Sequence, residues 1–284
     1  MRRGPRLTRP FWTSRDWRIN ILVRLTGIQS LTVLLHMKNF VINLDRHPEK
    51  YERFLKRNAG CGIAFERFSA SNGLEMGDQE VMAMRLVAPG SRFTKGAVGG
   101  AASLWRILNW IAKQSEPALV FEDDCTIRHD IIARLARLLP SLEGWDLLVL
   151  GCNTDSVLDL ELAPGMKSMM SFRPTHPDDQ SDAAFQRANS QVAALRLNCC
   201  FGPAGSLISP AGAGRLLELC FPMDNRPVKI EALGNRVLPT SGLDGMGNSV
   251  YRFMKAYACF APLVVPRNDN ATSTTFTHDA RVWG

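Results

Sequence analysis

From Phe40 onward, short apolar runs alternate with longer stretches in which apolar residues recur at helical spacing. Phe40-Val41-Ile42-Asn43-Leu44 predicts a strand, and Pro48 to Asn58 predicts a helix with Tyr51, Phe54 and Leu55 on one face. Ala64–Phe68 reads as a second strand ending at the turn Ser71-Asn72-Gly73, and Glu75–Val87 as a helix. Pro89-Gly90 and the glycines 96, 99 and 100 read as a small-residue bend, followed by a helix over Ala101–Lys113. The clearest strand is Ala118-Leu119-Val120-Phe121, which runs straight into Glu122-Asp123-Asp124. Ile131–Leu139 predicts a helix stopped by Pro140, and Trp145–Gly151 another buried strand. Residues 158–194 lack a pattern and read as a long loop or insertion. After it come a strand at Ser206-Leu207-Ile208, a helix begun by Ser209-Pro210 and running to about Leu219, a helix over Asp244–Ala256 and a last strand at Phe260–Val265.

Alternating strands and helices with short turns predict an α/β layer fold around a mostly parallel sheet. Ligands of such sheets bind beyond the carboxyl ends of the strands, where Glu122–Asp124 is expected. The length and the balance of 45% apolar to 21% charged residues suit one globular domain over residues 37–284. The net charge of +7 invites a nucleic-acid reading, but residues 1–36 hold seven arginines against one acid, Asp16, so nearly all of the excess lies there. Nucleic acid is therefore not an expected partner of the body. In that basic leader, Ile19–Leu35 is interrupted by Asn20, Arg24, Gln29 and Ser30, too polar for a spanning helix and without a signal cleavage site. Either it lies on an anionic inner-membrane surface, or translation starts at Met37. Seven cysteines at irregular spacing, with no C-x-x-C pair, predict buried thiols and a cytoplasmic setting. Asn270-Ala271-Thr272 matches a glycosylation acceptor pattern, which in a cytoplasmic chain is coincidental.

Three adjacent carboxylates repel one another unless something positive joins them. Glu122 and Asp124 can face the same side of a strand-to-turn segment and converge on a hard divalent cation, Mn²⁺ or Mg²⁺, whose coordination a diphosphate completes. The bland reading of the triplet, a solvated acidic turn or a cap for the next helix, stays open on these residues alone.

Several blocks from Phe40 to Thr275 resemble glycosyltransferase family 25, which includes bacterial lipooligosaccharide and collagen galactosyltransferases. They are Val41-Ile42-Asn43-Leu44-Asp45-Arg46, Phe65 to Gly73, Gly96 to Ser103, Glu116 to Asp124, Trp145 to Gly151, Gly205 to Ala213 and Pro239 to Asp244. The resemblance implies a GT-A-like fold, a UDP-sugar donor with galactose ahead of glucose, a glycan acceptor, a Mn²⁺ or Mg²⁺ ion and inversion at the anomeric carbon. It implies Asp124 and Glu122 as metal ligands and Asp244 as the base, whose bland reading is a helix cap. It further implies Asn43, Asp45, Arg46, Ser103 and Asp123 at the donor, Asp45 and Arg46 being equally readable as surface ion-pair residues. Three positions depart from the family pattern: Leu104 stands where the family has His, Gly100 where it has Cys, and Asn72 where it has Asp.

Two rival functions fit the same triplet. A metal-dependent phosphohydrolase would also use carboxylates at a strand end, although the five histidines show no metal-ligand spacing. A family member that binds a nucleotide sugar without turnover would account for Leu104.

Overall fold

The computed structural model describes residue 34, residues 36–172 and 178–267, and the backbone of 282–283. The remainder of the leader and the Asn270 glycosylation pattern lie outside the described residues.

Strands β1 (Lys38–Asn43), β2 (Glu66–Ser69), β3 (Phe93–Thr94), β4 (Ala118–Glu122), β5 (Cys125–Ile127), β6 (Leu147–Gly151), β7 (Val157–Ala163), β8 (Met166–Ser171), β9 (Ala193–Cys199) and β10 (Gly205–Ile208) are followed by β11 (Pro227–Ile230), β12 (Arg236–Pro239), β13 (Ala256–Phe260), β14 (Val264–Pro266) and β15 (Val282–Trp283). Interspersed are helices α1 (Pro48–Arg57), α2 (Asp78–Ala83), α3 (Lys95–Ile111), α4 (Ile131–Leu138), α5 (Asp179–Gln186), α6 (Pro210–Cys220) and α7 (Leu243–Val250). Nine strands form the central sheet in the order β2-β1-β4-β10-β6-β13-β9-β7-β8.

The expected α/β layering is present, because the central strands bury alternate residues on opposite faces. Phe40, Val120, Leu147 and Val149 pack with α3, α6 and α7, while Val41, Leu119, Phe121, Leu148 and Leu150 pack with α1 and α4. The sheet is mixed, not mostly parallel as expected: three of its strand pairings are parallel and five antiparallel. Strand β10 runs against both β4 and β6, and the far flank β9-β7-β8 is antiparallel throughout. Even so, β1, β2, β4, β6 and β13 share one direction, so their carboxyl ends line one edge of the molecule.

Five other expectations are corrected. The glycines 96, 99 and 100 lie inside α3, not in a bend. Thr94 caps that helix by accepting from Ala97 N at 3.1 Å, and glycine is required because the helix backbone touches the loop before it. A Cβ on Gly99 would stand 2.5 Å from Gly73 N. Residues 158–194 are not a loop: they carry β7 and β8, joined at the turn dipeptide Pro164-Gly165, then α5 and the start of β9. The helix expected over Glu75–Val87 covers only Asp78–Ala83, and the one over Asp244–Ala256 spans Leu243–Val250 plus a 3₁₀ turn, Tyr251–Phe253. The last expected strand is two, β13 and β14. Among the described residues no helix is long and apolar enough to cross a membrane. All seven cysteines are free, and six of them are buried.

Candidate active site at the carboxyl ends of the strands

Strand β4 delivers the acid triplet, and the chain then leaves the sheet. Cys125–Ile127 forms β5, which pairs with β14, so the triplet does not cap a following helix. Asn58, 1% exposed, fixes this departure by donating to Cys125 O at 3.0 Å and accepting from Ile127 N at 2.8 Å. Arg267 N donates to Asp124 O at 3.2 Å from the β14 side.

On the other side of β4, Glu122 N donates to Ala204 O at 3.0 Å, which places residues 202–204 beside the triplet. Gly202 N donates in turn to Asp244 Oδ2 at 2.9 Å. Gly202 adopts φ +57°, and a Cβ there would fall 2.3 Å from the Asn153 side chain, so this donor position needs glycine. Asp244 sits in the first turn of α7 and bonds across to Gly202, so it is not the helix cap. A residue distant in sequence is thereby brought close enough to Glu122 for their charges to interact.

The electrostatics agree with that gathering. Glu122 reaches solvent at the end of β4, yet protein packs densely around it. Burial pushes its carboxyl well above the ordinary range, and the charges of Asp124, Asp244 and Asp123 push it further, with no cation offsetting them. Burial also raises Asp244, partly countered by the Gly202 N–H. The charge of Asp244 adds to burial in lifting the neighbouring Cys152 thiol to about 12, which keeps it unreactive. Asp123 is raised by burial and eased by its hydrogen bond from Asn43, then by Lys50, His47 and Arg53.

Asn43, at the end of β1, is 1% exposed and has all its side-chain groups committed. Its Nδ2 donates to Asp123 Oδ2 at 2.6 Å and to His47 O at 2.9 Å, and its Oδ1 accepts from Arg67 Nε at 2.8 Å. Asp45 is exposed and takes Arg67, at 2.7 Å, and the Ser69 hydroxyl, at 2.7 Å, as partners. These bonds hold its carboxyl below the usual range, Ser69 contributing most. Arg46 is exposed and reaches Asn72 Oδ1 at 3.5 Å. Asn43 thus braces the triplet directly, and Asp45 is tied to that brace through Arg67.

Ser103 is not brought to the group. It is 1% exposed, donates to Gly99 O at 2.8 Å and accepts from Ser71 N at 2.8 Å, so it ties α3 to the 71–73 turn. Leu104 is half-buried against the same core face. Asp146 is likewise structural, accepting from Lys255 N at 2.7 Å at the far end of β6. Sequence reasoning missed two contributors, Arg67 and the Gly202 N–H. Arg67 carried a signal, standing one strand over from Asn43 in β2. The Gly202 contact carried none, since it is long-range.

Among the described residues no three Asp, Glu, His or Cys side chains form a ready-made metal cage. The donor set still fits a hard cation, because Mg²⁺-type ions are commonly held by one or two carboxylates together with substrate phosphates. A cation shared by Glu122, Asp124 and a diphosphate would neutralise carboxylate charge crowded around Glu122.

A protein-family model described as "Glycosyltransferase family 25 (LPS biosynthesis protein)" matches residues 36–229. The matched span contains β1, the acid triplet and β10, and ends before Asp244. No curated protein matches the chain.

Proposed function

The chain belongs to glycosyltransferase family 25, and on that premise we propose that it is an inverting hexosyltransferase moving galactose from a UDP-sugar to a glycan acceptor such as lipooligosaccharide, assisted by Mn²⁺ or Mg²⁺. The observation that carries this reading is that Asp124, within the triplet, and Asp244, from α7, both bring their charge to Glu122 at the strand ends.

Asp124 and Glu122 would hold the cation, which would supply charge neutralisation for a departing diphosphate. Asn43, pinned by Arg67, keeps Asp123 oriented at the same end of the sheet. Asp244 acts as base. One of its oxygens is held by Gly202 N–H, which fixes the carboxylate and leaves the other for a proton. Its raised affinity for a proton suits that task near neutral pH. The acceptor oxygen attacks the anomeric carbon as the bond to UDP breaks; the acceptor proton passes to Asp244 and the electron pair leaves with UDP. A single displacement of this kind inverts the anomeric centre. The chain works, on this reading, on the cytoplasmic side, where nucleotide sugars are made.

A screen of UDP-sugars with Mn²⁺ and a glycan acceptor tests the proposal. UDP release that needs both donor and acceptor, largest with UDP-galactose, is the expected result. Phosphate release from simple esters without a sugar donor would turn the assignment to a phosphohydrolase. Stabilisation by UDP and Mn²⁺ with no transfer to any acceptor would make it a binding protein.

A further inference from the structure

One turn further along α7 lies a cavity that the carboxylate cluster does not use. Its volume is about 430 Å³, and it opens between β7, β8 and β9, the β11 strand, and the end of α7 with its 3₁₀ turn. Sites for small molecules commonly have this size.

The lining combines buried hydrogen-bonding groups with cations, two of which lack a carboxylate partner among the described residues. Asp159 is 3% exposed and accepts from Asn198 Nδ2 at 2.9 Å. Asn248 is 9% exposed; its Oδ1 accepts from Cys200 N at 3.0 Å, while its buried amide nitrogen has no hydrogen-bond partner. Four cations and two carboxylates face the cavity. Lys167 is held by Glu231 at 3.1 Å and Arg226 by Asp224 at 2.6 Å. Lys229 and Arg252, both exposed, have no carboxylate partner among the described residues. Arg252 lies 4.6 Å from the ring of Phe253, which is 59% exposed at the rim.

We propose that this cavity binds an acidic sugar, a hexose unit of the acceptor carrying a phosphate or a carboxylate. The acid group pairs with Lys229 and Arg252, the hydroxyls meet Asp159, Asn198 and Asn248, and the ring lies against Phe253. Sugars need both donors and acceptors at close quarters, and the buried carboxylate and amides supply them. The two cations without a carboxylate partner among the described residues favour an acidic sugar over a neutral one. The cavity also communicates with the proposed base. Asn248 follows Asp244 by four residues and so shares its helix face. Both Asp159 and Asp244 press on the Cys199 thiol, which lines the cavity. Naming the ligand as part of the acceptor rests on the transferase reading; the binding itself does not.

Calorimetry on the full chain, without metal or nucleotide, tests the cavity with glucuronic acid, glucose 6-phosphate, glucose and inorganic phosphate. Both acidic sugars should bind, with glucose and phosphate each weaker by about tenfold or more. The double variant Lys229→Ala/Arg252→Ala should lose about tenfold for the acidic sugars while keeping its circular dichroism and its UDP–Mn²⁺ affinity. Phe253→Ala should weaken glucuronic acid without changing the preference for acid over neutral sugar. Equal binding of glucose, equal binding of bare phosphate, an unaffected double variant, displacement of the sugar by UDP, or no binding of either acidic sugar each overturns the proposal. Loss of UDP–Mn²⁺ binding with acidic-sugar binding intact would instead count against the transferase reading.

Discussion

The two halves of the central sheet are built on different rules. On one side, β1 and β4 are short runs buried on both faces, parallel to each other, with polar residues concentrated where they end. On the other, β9, β7 and β8 form an antiparallel flank whose strands mix apolar with charged positions and run out into solvent. In the first half the side chains of Asn43, Glu122, Asp123 and Asp124 gather at one edge, where the charge of Asp244 reaches Glu122. The flank has polar surface along its length, and there the fold makes a cavity between strands and hairpin. Fixed carboxylates suit bond cleavage at one point, while a lining that mixes polar and apolar side chains suits recognition of a larger acceptor. On the proposed function, the difference separates reaction from recognition within one sheet.

The strongest way to break that division is to remove the proposed base. Asp244→Asn should lower kcat about 10²–10⁴-fold with little change in the donor KM, as measured by UDP release under saturating donor. A loss confined to KM would place Asp244 in binding.

Packing separates the halves next. Gly99→Val puts side-chain atoms into the Gly73 backbone and should cost about 1–3 kcal/mol in denaturant unfolding. An unchanged midpoint would mean that the α3 contact with the 71–73 turn is not tight.

Glu122→Gln sharpens the cost of assembling the acids. Because the folded carboxyl binds its proton more tightly than the unfolded one, wild type is destabilised above the folded pKa and released from that penalty below the ordinary value of 4.5. The variant should therefore melt higher than wild type in metal-free buffer at pH 7.5, with the gap closing as pH falls toward 4.5. A gap that widened toward low pH would reverse the sign of the interaction.

The smallest effect is expected on the outermost strand. Met169, 62% exposed on β8, should tolerate Met169→Ser within about 0.5 kcal/mol by the same denaturant measurement. A larger loss would show that the flank is packed as tightly as the other half.

These two halves were also unequally legible in sequence. Strands such as Ala118–Glu122 and Leu147–Gly151 announce themselves because burial on both faces leaves a continuous apolar run. In β7 the alternation of Leu158, Leu160 and Leu162 with Asp159 and Glu161 did carry a period of two. Asp159 is buried all the same, so polarity there did not mean loop. The hairpin β11–β12 is four residues per strand, too short for a period to emerge. In α3 the glycines look like a bend because helix propensity disfavours them; a tertiary contact with Gly73 overrides that preference. The site was legible where residues are adjacent, as in the triplet and in Asn43. Contacts closed by long-range folding, Asp123 with Asn43 and Gly202 with Asp244, have no local signature.

The account stands or falls on the triplet holding a cation together with a nucleotide diphosphate. The most direct measurement is Mn²⁺ binding, followed by electron paramagnetic resonance with and without UDP, in wild type and in Asp124→Asn. Wild type should bind Mn²⁺ far more tightly when UDP is present, and Asp124→Asn should lose about tenfold to a hundredfold of that ternary affinity with its fold unchanged. Equal Mn²⁺–UDP affinity in the two proteins would contradict the assignment of Glu122, Asp123 and Asp124 as the donor's metal site.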